Sequence, residues 1–461
     1  MIRNLLLCTA ALALTAAPAL AKEAPPAPAA PKPFALPPLT EFTLANGMKV
    51  TMAQHGNVPK VTIVASVRTG NIDDGQNVWL ADLTGALMQK GAGGRDASQL
   101  AEAAAGMGGS LALSTGLDSS SAMIDVLGES TPDAVALVAD LLQRPDFKAE
   151  ELEKVRADML RNLMVAKSTP GSIASEAFSA ALYPEHPYGR TFPTPQQLSG
   201  YTLEQIKAFH AGNFGAARTH LYIVGRFDPT TVRAAVEKAF GGWAAGAAPT
   251  ALPVPAEPAP KVVLIDRPGA PQSTVWIGKR VAKPGYDMDF RATNTLLGGY
   301  FSSRITRNIR EDKGYTYSPS ASLSQRVQGA FWVEDADITA ESTGPAITEI
   351  YKEIRRMQDT LPTDAEVQGI RNYMNGTFVL GLSSRDGLAG SLANLDVQGL
   401  GVDYLNGYVG RASALKAADF QTAAKRELSV DKLSVVIVGP LESVRPQLEK
   451  VPEIAAKLPK K

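Results

Sequence analysis

The pentapeptide LYIVG, Leu221 to Gly225, returns as VVIVG, Val435 to Gly439, at an offset of 214 residues. A short run of β-branched and aromatic residues closed by glycine reads as a buried strand ending in a turn. Outward from each copy, the same neighbours recur at nearly the same distance. Glu129-Ser130-Thr131 reappears as Glu341-Ser342-Thr343, offset 212, each time opening an apolar helix. Val155-Arg156 with Met159 reappears as Ile370-Arg371 with Met374, offset 215, each within a stretch of helical periodicity. Singly these matches are weak; three at almost one offset imply a duplication. The chain is therefore expected to be α+β, with two homologous domains of roughly 200 residues, each a mostly antiparallel sheet covered by helices.

Composition draws the boundaries. Of 461 residues, 45% are hydrophobic and 20% charged, which suits a globular protein of two or more domains. Lys plus Arg and Asp plus Glu both number 46, so charge does not point to nucleic acid or to an anionic membrane as partner. Residues 1–21 combine Arg3, an apolar run from Leu5 to Ala17 and the small-residue site Ala19-Leu20-Ala21, the pattern of a cleaved secretory signal. The destination expected is outside the inner membrane, periplasmic, with no membrane span after cleavage. Cys8 is the one cysteine and follows Leu7 inside that run, which argues against a lipoprotein anchor. A mature chain without cysteine has neither disulfides nor a thiolate nucleophile.

Residues 22–41 are rich in Pro and Ala and read as a disordered leader. Residues 42–243 form the first domain, Ala244 to Pro260 (AAGAAPTALPVPAEPAP) a linker that permits hinge motion, and 261–455 the second domain. Within the first, Met48, Val50 and Met52 alternate after Asn46-Gly47, and Val61, Ile63, Ala65 and Val67 alternate next, as a hairpin or meander would. Leu111 to Leu113 and Ala122 to Val126 read as two more strands joined through Gly116. Asp228-Pro229 and Thr131-Pro132 carry helix-start chemistry.

Trp79 to Gly91, WLADLTGALMQKG, sets Leu80, Leu83, Leu87 and Met88 on one helical stripe, with Asp82, Gly85 and Ala86 on the adjacent face. Its frame, Trp79-Leu80-Ala81 before and Lys90-Gly91 after, resembles the pitrilysin/insulinase-type (inverzincin) metallopeptidases, which include the mitochondrial processing peptidase. In that family the helix reads His-x-x-Glu-His. The resemblance sets Asp82 and Ala86 at the two histidines, Gly85 at the glutamate base, and Asn162, counted back from Thr169-Pro170, at the third ligand. A zinc hydrolase needs three protein ligands, an open position for water and a base beside it. None of the four positions keeps its family residue. His55, His186, His210 and His220 have no ligand spacing. The serine run Ser119 to Ser121 and the glycine clusters 91–94 and 106–109 lack the context of a nucleophile elbow or phosphate loop.

The second half keeps more. Leu296 to Tyr317, LLGGYFSSRITRNIREDKGYTY, resembles the family signature Gly-Gly, Ser-Ser-Arg, Arg-Glu-x-x-Gly-x-x-Tyr. By resemblance Arg310 and Tyr317 are the pair that reaches a peptide at the zinc, and Gly298 and Gly299 are further candidates for contact with it. A guanidinium fork and a phenol can hold a peptide carbonyl and stabilise an oxyanion forming on it. The resemblance thus implies a non-catalytic, substrate-binding subunit of a heterodimeric zinc metallopeptidase. It would bind no cofactor itself, and the zinc would sit in a homologous partner subunit. Two alternatives stay open: a proteolytically inert binding or scaffold protein on the same fold, and a homodimeric hydrolase with another metal or none.

Overall fold

The computed structural model describes residues 34–249, 251–282 and 287–460. The expected signal sequence, Cys8 and most of the leader lie outside the described residues. The first half contributes β1 (Leu39–Thr43), β2 (Lys49–Gln54), β3 (Lys60–Val67), helix α1 (Leu80–Met88), a small ribbon of β4 (Gly91–Ala92) and β5 (Arg95–Asp96), α2 (Ala97–Gly106), β6 (Leu111–Thr115), β7 (Ser120–Leu127), α3 (Thr131–Gln143), α4 (Ala149–Ser168), α5 (Pro170–Leu182) and β8 (Thr219–Gly225). The second adds β9 (Val262–Asp266), β10 (Gln272–Val281), β11 (Ser320–Gln325), β12 (Ala330–Thr339) and β13 (Ser434–Gly439) among its helices.

The sheets have the orders β1-β2-β8-β3-β7-β6 and β11-β12-β10-β13-β9. Taken inward from the β6 and β11 edges, the two are the same sheet with one extra strand on the first. In each, the strand carrying the repeated pentapeptide runs parallel to one neighbour (β8 to β2, β13 to β9) and antiparallel to the other. The duplication seen in five-residue matches therefore extends to topology. Smaller details repeat too: Arg156 donates to the Tyr201 carbonyl, and its counterpart Arg371 to the Leu415 carbonyl.

The expected pairing of β2 with β3 is not found. β8, from more than 150 residues downstream, lies between them. Alternation tells which side chains of a strand are buried but is silent on which strand lies beside it. The leader also orders earlier than expected: β1 begins at Leu39 and pairs with β2, Phe34 meets the Phe378 ring edge-on at 5.0 Å, and the Leu36 N–H donates to Asn406 Oδ1 at 2.9 Å. Phe34, Leu36 and Leu39 are the large apolar groups of an otherwise Pro- and Ala-rich stretch, and they join an apolar cluster.

β3 is buried from Val61 through Val67, on both faces. One face meets the first half's helices. The other is covered by helix Arg385–Gln398 of the second half, whose Leu388, Leu392 and Leu395 pack on Val64, Tyr222 and Val224. The exchange is reciprocal: α5 of the first half lays Ala174, Phe178 and Leu182 on Val333, Val436 and Val438 of the second sheet. Gly278 permits this contact, since a Cβ there would stand 2.9 Å from the Phe178 ring. A sheet with two apolar faces needs two covers, and each half supplies the other's second one.

The described residues of 244–260 form no helix or strand, as the composition implied, and side chains from both halves strap them down. Arg218, 5% exposed, donates through Nε to the Ala247 carbonyl at 2.8 Å. His186 Nε2 lies 3.0 Å from the Leu252 carbonyl, and Arg280 donates to the Pro255 carbonyl at 2.8 Å. Both halves thus hold the strap. It is held by backbone carbonyls, which every residue carries, so its composition could not signal this.

Candidate functional site

α1 forms as a helix without the His-x-x-Glu-His side chains of the family that the sequence resembles. Trp79 precedes the helix at φ 68°, a left-handed conformation suited to glycine, the residue of the family's lead-in. It is held there by the indole N–H to the Thr191 carbonyl at 3.0 Å, an edge-on contact with Phe192 at 5.8 Å, and its own N–H to Asp74 Oδ2 at 3.0 Å. Asp74 Oδ1 also accepts from the Ala81 N–H at 2.8 Å, so one carboxylate satisfies the exposed start of the helix.

Asp82, at the first ligand position, turns into this cap. Asn71 Nδ2 donates to Asp82 Oδ2 at 2.5 Å and to Asp74 Oδ2 at 3.0 Å. Burial raises the Asp82 carboxyl above the usual carboxylate range. For Asp74, burial and then the neighbouring Asp82 push it up to about 7, against the hydrogen bonds that favour its charged form. Gly85, at the base position, faces a filled space: a Cβ there would lie 2.6 Å from Thr115 Oγ1 on β6. Ala86 packs half-buried against the core, and Asn162 is exposed on α4. One committed carboxylate, a glycine, an alanine and an exposed amide do not fit zinc. Among the described residues no three His, Cys, Asp or Glu side chains group as metal ligands do. The histidines serve the fold: His210 Nε2 lies 2.8 Å from the Leu142 carbonyl, His220 bonds Thr51 and Tyr222, and His55 lies 3.0 Å from the Ser383 carbonyl.

The second-half signature divides into scaffold and surface. The two glycines are scaffold. They close a π-helical turn, Thr295–Gly299, where a Cβ on Gly298 would stand 2.5 Å from Ala321 Cβ and 2.6 Å from Glu334 Oε2. A Cβ on Gly299 would stand 2.7 Å from Asn294 Nδ2. Gly298 thus packs closely on β11 and β12, and Gly299 on Asn294. Ser303 caps the next helical run through Oγ to the Thr306 N–H, and Arg304, 7% exposed, makes a two-pronged ion pair with Glu366 at 2.8 and 3.0 Å. Burial opposes the charge on Glu366, but Arg304 and Thr363 outweigh it and hold the carboxyl at about 2.

The remainder of the signature is surface. Arg310 lies on the π-helical run Thr306–Asp312, and Gly314 ends it at φ 65°, a conformation only glycine adopts cheaply. The chain turns back, Thr316 pins it to β12 through Oγ1 to the Asp337 carbonyl at 2.7 Å, and Tyr317 returns over Arg310. The Arg310 guanidinium carbon lies 4.6 Å from the Tyr317 ring centroid and 4.5 Å from that of Phe301. Those rings are 76% and 67% exposed. Arg310 Nε lies 3.0 Å from Glu311 Oε1, while its two terminal nitrogens carry no protein partner among the described residues. A charged fork is thus held by two rings with its donating edge open. Arg310 and Tyr317 come together. Phe301 was missed although it lies inside the signature, and Asp74 and Thr115 gave no sequence signal.

Two adjacent profiles of one peptidase family match this chain: "Insulinase (Peptidase family M16)" over residues 49–196 and "Peptidase M16 inactive domain" over residues 200–374. The chain belongs to the M16 peptidase family. An uncharacterized zinc protease of Mycobacterium bovis is 28% identical over 289 residues, 61% of this chain and 66% of that protein, so the match spans just under two thirds of that relative. The uncharacterized zinc protease YmxG of Bacillus subtilis is 23% identical over 75% of this chain and 85% of its own length. Among solved structures, an M16 inactive domain from Pseudomonas fluorescens superposes with a TM-score of 0.82 at 23% identity, covering 87% of this chain and 98% of its own. A protease from Helicobacter pylori gives 0.81 at 20% identity, covering 88% and 100%. Both share the two-domain M16 fold. No helix among the described residues is long and apolar enough to cross a membrane.

Proposed function

We propose that this M16 chain is the substrate-holding, non-hydrolytic subunit of a secreted two-subunit peptidase. A homologous partner would carry the zinc and its base, and this chain would supply Arg310 and Tyr317 to the peptide in trans. The observation that carries this reading is the contrast between the two halves. At α1 the base position is packed shut and the one carboxylate at a ligand position, Asp82, is taken up by Asn71, while Arg310 keeps an open fork beside an exposed phenol. A stable fold gains little from an exposed Tyr or from an Arg whose terminal nitrogens bond nothing. β11, the open edge of its sheet, begins three residues after Tyr317, so an extended peptide held by the pair lies near unpaired backbone groups. Holding a carbonyl and stabilising the charge that develops on it are separable from activating water.

The test is reconstitution. The purified chain is assayed for bound zinc and for peptide cleavage, alone and mixed with an M16 subunit bearing the intact motif from the same organism. The expectation is no zinc and no cleavage alone, cleavage in the mixture, and a loss of about 10²-fold or more in turnover with Arg310→Ala and Tyr317→Phe together. Stoichiometric zinc in the lone chain, or a mixture indifferent to the double substitution, refutes the proposal.

A further inference from the structure

Phe301 is not explained by the fold. It sits in the turn between the two π-helical runs, 67% exposed, although its neighbour Tyr300 already packs on the second-half core and meets Tyr373 at 5.2 Å. Its contact is with Arg310, whose guanidinium carbon is 4.5 Å from the ring. Phe301 and Tyr317 both lie within 5 Å of that carbon, yet no contact joins the two rings to one another, so they flank the guanidinium from different sides. With both flanks occupied by rings and Nε committed to Glu311, an acceptor can approach only the edge formed by the terminal nitrogens. A peptide whose carbonyl takes that edge must pass both rings, with its neighbouring side chains laid against their exposed surfaces.

Resting on the substrate-holding reading above, we infer that Phe301 is a specificity residue of this site. The site selects peptides with a large apolar side chain, aromatic above aliphatic, next to the carbonyl that Arg310 holds. Two chemical facts set the direction. The outer surfaces of both rings are apolar and wet, so covering them with an apolar side chain removes apolar area from water twice, and a ring partner adds edge-to-face attraction. Glu311, 54% exposed on its side chain, already offsets the Arg310 charge, so among uncharged guests the ranking is set by how much ring surface each covers. Small residues leave the rings bare. The segments selected are those a folded protein keeps inside and an unfolded one exposes.

The experiment is fluorescence anisotropy with the full mature chain and labelled peptides that share one polar host sequence and differ at one guest residue: Phe, Leu or Ala. The Phe guest is expected to bind about 10-fold tighter than Ala, with Leu between. Phe301→Ala should bring the Phe guest down to the Ala guest's affinity, while Phe301→Leu should keep a preference for Leu and Phe over Ala. Arg310→Ala should weaken every guest. Phe301 is exposed, so unchanged thermal melting of its variants separates loss of contact from loss of fold. Binding that depends on Arg310 but ignores the guest, or a guest preference that survives Phe301→Ala, overturns the specificity assignment and leaves the substrate-holding reading standing. No Arg310-dependent binding of any guest overturns both.

Discussion

Gly85→Ala measures whether the base position on α1 is closed. Glycine inside a helix is about 0.5–1 kcal/mol worse than alanine, so with free space the substitution stabilises the protein by that amount. Here the new methyl would stand 2.6 Å from Thr115 Oγ1, well inside contact distance, with Leu113 Cδ2 at an ordinary 3.7 Å. Inserting one carbon into such a site costs about 1–3 kcal/mol. The helix gain offsets part of this, so the net expectation is destabilisation by up to about 2 kcal/mol. The sign alone is not decisive, and a double-mutant cycle with Thr115→Ala is. In that background the obstruction is gone, and Gly85→Ala should stabilise by about 0.5–1 kcal/mol, giving a coupling of about 1–3 kcal/mol between the two sites. Thr115→Ser, which keeps Oγ, should not relieve the strain. Urea unfolding followed by tryptophan fluorescence reads each variant, with a constant m-value as the check that two-state comparison holds. A coupling near zero refutes the packing account.

Three other contacts lead to measurable outcomes. Phe178→Ala removes a fully buried ring from the cover that the first half lays on the second sheet, and should cost about 3–5 kcal/mol. Because the covers are exchanged, amide hydrogen exchange should show β13 losing protection although the substitution is in α5. Arg304→Ala breaks a near-buried ion pair and should cost about 2 kcal/mol at neutral pH, discounted because Glu366 is partly exposed. The folded carboxyl of Glu366 at about 2 lies below its unfolded value, so the pair's contribution is present above about pH 4.3 and fades as pH falls toward 2. The variant and the parent should therefore converge in stability under acid. Asp74 works the other way: its folded carboxyl at about 7 lies above the unfolded value, so its contribution to stability is full below about pH 4 and is lost as pH rises from about 4 to 7. Midpoints of urea unfolding across that range should slope downward, and Asp74→Asn should flatten the slope.

The sequence alone carried the duplication, because the two buried strands β8 and β13 need the same β-branched residues and the same closing glycine wherever they sit. It also showed which residue types stand at Asp82, Gly85, Ala86 and Asn162, since donor atoms belong to residue types and can be read without coordinates. Arg310 and Tyr317 were legible for a related reason: their approach depends on local chain geometry, a helix end and a turn that Gly314 makes, all within eight residues. The neighbours that come from far away were not legible. β8 between β2 and β3, Thr115 against Gly85, helix Arg385–Gln398 over the first sheet, and Arg218 under the strap are all contacts across long stretches of chain. Periodicity says which side of an element is buried, and the identity of what buries it is decided when the chain closes on itself.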